Sequence, residues 1–342
     1  MIITIFAFTP AGKPLREKLS TLLEGRGHQI LAERPAASLR ERAGEAFRPG
    51  SALVFIGAAG IAVRAIAPFL RSKAEDPAVV VIDEKGRWAV PLLSGHLGGA
   101  NELSAEIAEL LGSRAVITTA TDINGVFAVD LWAKACGLVI GSMEKARDIS
   151  MRLLKGEEVL LLSDFPIAGD LPRGLRAADA GAEEAGTAGI RVSIYRGEAS
   201  CLNLIPRRVY LGVGCRSGVS QEAVCSAVTE ALSRETIDIR SVAAVGTIDI
   251  KKDEPALAAL CRQKGWPLLC YTAEELRGAG NGFTRSDFVF SAVGVDNVCE
   301  RAAFLASRSG VMLVRKFAAG GVTVAAALGE ISLSFDSRED RQ

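Results

Sequence analysis

The chain has 342 residues, which is more than one ordinary hydrophobic core accommodates and predicts two or three domains. Lysine plus arginine and aspartate plus glutamate both number 40, so no overall charge attracts nucleic acid or a membrane surface. Seven cysteines without a C-x-x-C pair and only two histidines argue against a secreted disulfide framework and against a structural zinc site. We therefore expect a soluble globular protein of the cytoplasm, with no membrane span and no nucleic-acid partner.

The first part of the chain alternates apolar runs with helical patterns. Residues 2–8 are predicted to form a buried strand, and the helix that follows ends near Gly25. Three later apolar runs each end in a loop of small residues and lead into a helix; they are residues 53–56, 88–93 and 115–117. This order predicts parallel strands with crossover helices. The three loops would then lie together at the carboxyl ends of the strands, where open sheets bind ligands.

Local signals place several turns and helix starts in this region. Residues 83–86 are predicted to be a hairpin turn between a strand at 78–82 and the run at 88–93. Asn101 and Asn124 are predicted N-caps of the helices that follow them. The Arg-, Glu- and Ala-rich stretch at 32–50 is predicted to be an exposed helix or loop.

The loop at residues 94–101 is the strongest candidate for a functional site. It holds His96 among three glycines at a helix start, where free backbone N–H groups favour anions. The turn containing Gly57 and Gly60 is explained equally well by turn geometry alone. A histidine contributes nothing to turn geometry, so we favour a functional explanation for the loop at 94–101.

The rest of the chain predicts a small middle module and a second α/β domain. A helix at 143–154 and strands at 159–162 and 190–195 flank a Gly-, Ala- and Pro-rich segment, which we predict to be a mobile loop or small linking module. Residues 202–206 are predicted to be an extended connector. The last domain has predicted strands at 209–214, 242–247 and 267–271, helices capped at Ser220, begun at Pro255 and spanning 298–307, and a terminal hairpin at 311–328.

The predicted fold class is α/β, with two three-layer α/β/α-type domains and a small middle module. The predicted boundaries are residues 1–140 for the first domain, 141–207 for the middle module and linker, 208–335 for the last domain, and 336–342 for a charged, frayed tail.

Several kinds of chemistry are compatible with the residues. The glycines at 212, 214 and 218 do not have the spacing of a dinucleotide fingerprint, which needs its third glycine one position earlier. Ser94 and His96 suggest a nucleophile pair, but the G-x-S-x-G elbow is missing. Cys215 in its glycine loop is either a thiol of lowered pKa or a small residue that faces the sheet. Asp122 is either a turn residue or a partner that orients His96 or activates water.

Basic residues in the loops suit a ligand with several carboxylates. They are Arg64, Lys73, Arg216, Lys251, Lys252 and Lys316. From the residues alone we predict a cytosolic α/β enzyme for an anionic small molecule, with its reaction undefined.

Longer segments are specific enough to compare with known families. They are GIAVRAIAP at 60–68, KAEDPAVVVIDE at 73–84, PLLSGHLGGAN at 91–101, TTATD at 118–122, FAVD at 127–130, LGVGCR at 211–216, IDIKKDEP at 248–255 and VGVDNVCE at 293–300. Together they closely resemble the CbiG family of cobalamin biosynthesis, over nearly the whole chain. The middle segment matches in outline, and Thr272 stands where we expect serine, with the hydroxyl kept.

The resemblance implies a cobalt-precorrin-5A hydrolase of the anaerobic cobalamin route. Such an enzyme opens the δ-lactone of a cobalt-containing macrocycle and releases the bridging carbon with its methyl group as acetaldehyde, giving cobalt-precorrin-5B. Cobalt would arrive in the corrinoid substrate, so no cofactor and no resident metal are expected. Contacts with neighbouring enzymes of the pathway are a further expectation. The last domain resembles the tetrapyrrole-binding protein CobE, and we expect it to supply a second wall of the substrate site.

Our hypothesis for the site is that water attacks the lactone carbonyl, with His96 as general base and Asp122 as its orienting partner. Backbone N–H groups around Gly98 and Gly99 would stabilise the oxyanion. With a histidine pKa near 6.5, the rate would rise through roughly that pH. The predicted substrate-binding residues are Gly60, Arg64, Ser94, Gly98, Gly99, Asn101, Gly214, Cys215, Arg216 and Lys251.

Three alternatives stay open at this point. The first is a carrier that binds the corrinoid without catalysis. The second is an NAD-linked oxidoreductase that uses the Gly212 loop. In the third, His96 contacts a substrate carboxylate, which would affect KM rather than kcat.

Overall fold

The computed structural model describes residues 1–32, 38–72, 75–177 and 189–336. The chain divides into two compact units, Met1–Leu131 and Trp132–Gln342. In the described ranges, no helix combines the length and the apolarity that crossing a bilayer requires. Lys73, residues 178–188 of the predicted mobile segment and residues 337–342 of the predicted tail lie outside the described ranges.

The first unit is built on one mixed, six-stranded sheet. Its strands are β1 (Ile2–Ala7), β2 (Gln29–Leu31), β3 (Ser51–Ile56), β4 (Ala78–Ile82), β5 (Trp88–Leu93) and β6 (Arg114–Ala115). Its helices are α1 (Gly12–Gly25), α2 (Leu39–Ala46), α3 (Ala59–Ile66), α4 (Ala100–Leu111) and α5 (Ala120–Ile123), and α6 (Val129–Ala135) begins in it. The strand order is β2-β1-β3-β4-β5-β6, and every neighbouring pair is parallel except β4 and β5.

Helices cover both faces of this sheet. On one face, Leu19 of α1 and Ile107 of α4 pack against Val54 of β3. On the other face, Ala62 of α3 packs against Phe55 of the same strand. Successive side chains of a strand point to opposite faces, so a strand that is apolar throughout must be buried on both. The predicted α/β class is confirmed, and this unit has three layers.

The direction of β5 corrects the predicted arrangement of the loops. The carboxylate of Asp83 accepts hydrogen bonds from the backbone N–H groups of Arg87 and Trp88, which closes the predicted hairpin and reverses the chain. The end of β5 therefore lies beside the beginning of β4, with Leu93 opposite Val79. The turn after β3 lies at the other edge, since the last residues of β3 and β4 are paired. The prediction that all three loops share one edge was wrong.

Both predicted asparagine caps were also wrong. Helix α4 begins one residue earlier, with Gly99 as its N-cap in the left-handed conformation, φ 85°, which a glycine adopts without strain. Asn101 lies in the first turn with its side chain buried. Asn124 ends the short α5 as its C-cap and does not begin α6. The segment at 32–50, predicted to be an exposed helix or loop, contains helix α2. Ser38 is its N-cap and forms a capping box with Glu41.

The second unit contains a five-stranded sheet that the sequence analysis did not anticipate as a whole. Its strands are β7 (Leu138–Ile140), β8 (Val159–Ser163), β10 (Leu175–Ala177), β11 (Ile190–Val192) and β12 (Leu202–Pro206), in the order β10-β8-β11-β12-β7. Helix α7 (Met143–Leu154) belongs to this segment, and the short β9 (Ile167–Ala168) pairs with β18 (Leu333–Ser334). The segment at 202–206 is thus a sheet strand and not the predicted connector.

A second five-stranded sheet follows it in the same unit. Its strands are β13 (Val209–Cys215), β14 (Val242–Ile248), β15 (Leu268–Tyr271), β16 (Val311–Ala319) and β17 (Val322–Leu328), in the order β15-β14-β13-β17-β16. The helices are α8 (Gln221–Arg234), α9 (Pro255–Lys264), α10 (Ala273–Gly278), α11 (Asp287–Val293) and α12 (Cys299–Ala306). The predicted cap at Ser220, the helix start at Pro255 and the terminal hairpin are confirmed. Thr272 caps α10 through its hydroxyl.

Helices again cover both faces of this sheet. Val228 of α8 and Leu257 of α9 are buried against one face, and Ala303 of α12 against the other. A Cβ on Gly212 would lie 1.8 Å from the carbonyl oxygen of Cys299, so the absence of a side chain at 212 lets α12 approach the sheet. The domain boundaries near residues 140 and 208 stay predictions.

Candidate active site

The parallel pair β5 and β6 brings the His96 loop and the segment 118–122 to the same edge of the first sheet. Trp88 pairs with Arg114 and Ala89 with Ala115, and the chain continues past each strand in the same direction. The hydrogen bond from Asn101 Nδ2 to Thr119 Oγ1, 3.0 Å long, joins the two segments. The structure therefore unites His96 and Asp122, which are 26 residues apart in the sequence.

His96 is held between two carboxylates. Its Nε2 lies 2.8 Å from Asp122 Oδ2, and its Nδ1 lies 3.2 Å from Asp130 Oδ2. The hydroxyl of Thr121 is a further neighbour of Nε2, at 3.2 Å. The His96 side chain is 13% exposed, whereas that of Asp122 is 34% exposed. The pair is thus sheltered on the histidine side and open to a ligand on the aspartate side.

This environment favours the charged imidazolium. The hydrogen bond to Asp130 is the largest cause that raises the pKa of His96 from its usual 6.5 to about 9. Partial burial opposes the shift, and the hydrogen bond to Asp122 adds to it. Burial by itself would raise the pKa of Asp130, but the hydrogen bond and charge of His96 outweigh it and hold that pKa below its usual range. This environment does not fit the neutral imidazole of ordinary pKa that the sequence analysis expected, and the catalytic roles of His96 and Asp122 stay predictions.

The backbone N–H groups of the loop at 94–101 were predicted to stabilise an oxyanion, but three of them donate within the loop. The N–H of Gly99 donates to the carbonyl of His96, and those of Ala100 and Asn101 donate to Ser94 and Gly95, so Gly99 offers no donor to an oxyanion. Among the described residues, none accepts a hydrogen bond from the N–H of Gly98. A Cβ on Gly98 would lie 2.4 Å from that of Ser94, so no other residue fits there. Of the two predicted donors, Gly98 is the one that stays available.

Ser94 does not form the nucleophile pair that was considered. Both ring nitrogens of His96 face other groups, and the buried Oγ of Ser94 has no hydrogen-bond partner among the described residues. Ser94 has a φ of 55°, a strained left-handed conformation for a residue with a side chain. Its carbonyl accepts from Ala100, so the residue shapes the loop that holds His96.

Gly60 and Arg64 do not join this cluster. They lie on α3, after the opposite end of β3, and the guanidinium of Arg64 points back to the carbonyl of Gly60 at 3.4 Å. The reversal of the chain at the β4–β5 hairpin explains the separation. These two residues are not part of the site around His96, although the sequence analysis grouped them with it.

The four predicted residues of the second unit line one pocket in that unit, with a volume of about 710 Å³. Gly214, Cys215 and Arg216 lie at the end of β13, and Lys251 follows β14. The aliphatic part of the lining comes mostly from Ile248, Ile250, Val289, Val293, Val298 and Val322. Phe288, which is 74% exposed, is part of the same lining. The pocket is therefore mainly apolar, with cations at its edge.

Those cations differ in their availability. Lys251 Nζ donates to Glu254 Oε2 and to Ser217 Oγ, both at 2.8 Å, so its charge is already compensated inside the protein. Within the described part of the chain, no carboxylate pairs with the side chains of Arg216 or Lys316, and both line the pocket. Arg216 and Lys316 are thus better placed than Lys251 to bind an anionic ligand.

Of the two interpretations of Cys215, the structure favours the small residue over the reactive thiol. Burial raises the pKa of the Cys215 thiol, and the nearby charge of Lys251 offsets this only in part. At neutral pH the residue is a protonated, half-buried thiol. It has the properties of a small apolar side chain, which was the simpler of the two interpretations.

Sequence analysis missed two neighbours of His96, namely Asp130 and Thr121. Asp130 was given no role of its own, and it lies 34 positions after His96. The FAVD segment at 127–130 was the available signal, but nothing in its pattern shows that α6 turns a carboxylate towards the loop. Among the described residues, no group of three or more His, Cys, Asp and Glu side chains is arranged to hold a metal ion.

Comparison with known proteins gives two matching family models. The model described as "Cobalamin synthesis G N-terminal" matches residues 41–122, and "Cobalamin synthesis G C-terminus" matches residues 209–327. The first range contains His96 and ends at Asp122. The second range contains pocket-lining residues of three segments: β13, the stretch that follows β14, and β16.

Curated relatives match over most of the chain. A cobalt-precorrin-5A hydrolase of Salmonella typhimurium is 33% identical over 344 residues, covering 94% of this chain and 96% of the relative. A second one, from Priestia megaterium, is 32% identical over 298 residues, covering 82% of this chain and 79% of the relative. Protein CobE of a Sinorhizobium species is 28% identical over 130 residues, which is 37% of this chain and 84% of that protein.

Proposed function

The chain belongs to the cobalamin synthesis G (CbiG) family, and from this membership and the geometry around His96 we propose that it hydrolyses cobalt-precorrin-5A. The observation that carries the proposal is the placement of His96 between Asp122 and Asp130. The N-terminal family model covers His96 and Asp122. A partly open carboxylate next to a cationic imidazole can accept a proton and stabilise a developing negative charge.

The proposed reaction has two stages. Water adds to the carbonyl carbon of the lactone and the ring C–O bond breaks, which leaves a carboxylic acid and an alcohol on the carbon that bears the methyl group. The alcohol then loses its proton, the bond from that carbon to the macrocycle breaks, and acetaldehyde leaves. The macrocycle keeps the electron pair and takes up a proton. Since the sum consumes water and no redox equivalent, it needs no further co-reactant.

The residues of the site match the needs of the first stage. Asp122 uses Oδ2 to hold His96, and no described residue donates to its other oxygen, Oδ1. We assign to Oδ1 the proton of the attacking water. The positive charge of His96 and the N–H of Gly98 then stabilise the oxyanion, and Asp122 returns the proton that it took from water to the leaving alkoxide. Asp130 keeps His96 charged throughout.

The pocket of the second unit is proposed to bind the macrocycle. Its aliphatic lining and Phe288 suit the apolar face of a corrinoid ring. Arg216 and Lys316 suit the acetate and propionate groups at the rim of the ring, because neither is paired with a described carboxylate. The cobalt ion belongs to the substrate in this account, and no resident cofactor is assigned.

Arg216→Ala tests this binding role. We expect KM for cobalt-precorrin-5A to rise about 5- to 30-fold while kcat holds, because a charge-assisted hydrogen bond to a carboxylate that does not react is lost in ground and transition state alike. Steady-state kinetics of acetaldehyde release measures both constants. The matched control is Arg234→Ala, which removes an exposed arginine whose partner Glu230 lies on the same helix. Unchanged KM in the Arg216 variant would remove that residue from the binding site.

The activity itself is tested by incubating the purified protein with cobalt-precorrin-5A and measuring acetaldehyde. We expect catalytic release, with many equivalents formed per protein molecule, and cobalt-precorrin-5B as the second product. Tight binding of the substrate without acetaldehyde would favour the carrier alternative. Conversion that depends on added NAD would favour the oxidoreductase.

A further inference from the structure

Asn101 has a place in the site that differs from the one predicted for it. Its side chain is 7% exposed, so it presents little surface to a substrate. Its Nδ2 donates two hydrogen bonds, one to Asp122 Oδ2 and one to Thr119 Oγ1, each 3.0 Å long. Both hydrogens of the amide are therefore used inside the protein, and one of them binds the oxygen that also faces His96.

The loop is built to accommodate this amide. A Cβ on Gly95 would lie 2.6 Å from Asn101 Oδ1 and 3.1 Å from its Nδ2, so a side chain at position 95 would displace the amide. The backbone N–H of Asn101 also donates to the carbonyl of Gly95. Asn101 Oδ1 is buried and has no partner among the described residues, so the amide is not held there for the sake of its oxygen. Since an unpaired buried acceptor costs stability, the two donated bonds are the reason for this orientation.

The hydrogen bonds from Asn101 and from His96 to Asp122 Oδ2 restrict the orientation of the carboxylate. Asn101 and His96 both approach the same oxygen, so Asp122 cannot rotate without losing one of them. We infer that Asn101 is a positioning residue, which fixes Asp122 Oδ2 against His96 and thereby keeps Oδ1 directed at the reacting water. This inference rests on the proposed hydrolysis, and it gives Asn101 a role through Asp122 and not through contact with the substrate.

Two variants separate positioning from substrate binding. In Asn101→Ala, Asp122 loses its fixed orientation, and we expect kcat to fall about 10- to 100-fold with KM nearly unchanged, since misplacement by about 1 Å has an effect of this size. In the isosteric Asn101→Asp, the amide that donates to Asp122 Oδ2 is replaced by a carboxylate that cannot donate, so we expect a similar fall in kcat. In Asn101→Ala, the fall of kcat/KM at alkaline pH should begin at lower pH, because His96 is held less firmly by Asp122. Ser104→Ala is the control, because Ser104 is buried on the same helix and its hydroxyl has no partner among the described residues.

A titration that needs no turnover completes the test. The chain has two histidines, so NMR follows the imidazoles of His96 and His28 separately, with His28→Asn to assign them. We expect His96 to titrate at lower pH in Asn101→Ala than in the wild type, because Asp122 no longer holds it in place. The signal of His28 is the internal control. A merely structural role for Asn101 would lower the fraction of folded protein and leave both the pH profile and the titration as they are.

The outcomes distinguish this inference from the proposed activity. If the wild-type protein turns over the substrate and both Asn101 variants keep its kcat, pH profile and His96 titration, the positioning role is overturned and the hydrolase activity stands. A higher KM with an unchanged kcat would also overturn it, in favour of substrate contact. A wild-type protein that releases no acetaldehyde, but whose His96 titration shifts in Asn101→Ala, would contradict the hydrolase and uphold the positioning of Asp122.

Discussion

Replacing His96 by asparagine is expected to lower kcat for acetaldehyde release by about 10²–10⁴, which is the usual contribution of a positioned acid or base. The asparagine keeps a hydrogen-bonding side chain between Asp122 and Asp130 but carries no charge. The oxyanion then loses its cationic partner, and Asp122 loses the charged group that holds it in place. Binding of the macrocycle should change little, because the proposed contacts of the ring lie in the pocket that Arg216 and Lys316 line.

The chain supplies a matched control in its other histidine. His28 is 14% exposed, against 13% for His96, and its Nε2 lies 3.0 Å from Glu106 Oε2. His28→Asn thus removes an equally sheltered histidine–carboxylate pair outside the site, and kcat should hold. Stopped-assay detection of acetaldehyde, normalised to folded protein by circular dichroism, measures both variants. Equal kcat for the two variants would show that His96 has a structural role only. A raised KM with normal kcat would make it a carboxylate contact.

Asp122→Asn is expected to lower kcat by about 10²–10³ for a different reason. The amide is nearly isosteric and can still accept hydrogen bonds from His96 and Asn101, so the loop should keep its shape. What disappears is the basic oxygen that takes the proton of the attacking water. Because Asp122 is 34% exposed, the loss of its negative charge should have only a small effect on stability.

The control for this variant is Glu106→Gln, which neutralises the partner of His28. We expect it to keep wild-type turnover. The two variants are compared by single-turnover kinetics with enzyme in excess, which isolates the chemical step from product release. If Asp122→Asn releases acetaldehyde at the wild-type rate, Asp122 is not the base, and water must be activated elsewhere.

The His96 loop could be found from the sequence because its composition has no purely structural explanation. A histidine among Gly95, Gly98 and Gly99 at a helix start is a local pattern, and Asp122 follows a second run of the same kind. Local signals of this type also gave most helices and strands of the last domain. Pro255 and Ser220 marked helix starts correctly, because capping depends on neighbours within one turn.

Errors arose where long-range pairing decides the structure. The predicted hairpin at 83–86 implies that β5 runs opposite to β4, but the order of strand, loop and helix alone suggested parallel strands. The loop after β5 was therefore placed at the wrong edge. Asn101 had the right residue type for a cap, but its amide donates to Thr119 and Asp122 instead. The pKa of His96 depends on Asp130, which only the packing of α6 brings within reach.

The state of the Lys251 charge also depends on packing. From the sequence Lys251 was one of several loop cations, and nothing in the pattern singled out Glu254 as its partner. In the structure a tight turn brings the two together at 2.8 Å, with Glu254 only 8% exposed. The hydrogen bond from Lys251 lowers the pKa of Glu254, so the pair stays ionised and self-contained. Sequence alone does not show which of two nearby cations is already neutralised.

The protonated state of His96 is the central claim about the mechanism, and the pH dependence of kcat/KM tests it most directly, since this ratio reports the free enzyme. The pKa of His96 is raised to about 9, so the imidazolium persists through neutral pH and is lost as the pH rises through about 9. We predict that kcat/KM for acetaldehyde release is level around neutral pH and falls through about 9. A kcat/KM that instead rises through roughly pH 6.5 to a plateau would contradict this account, because it would show that neutral imidazole is the active form.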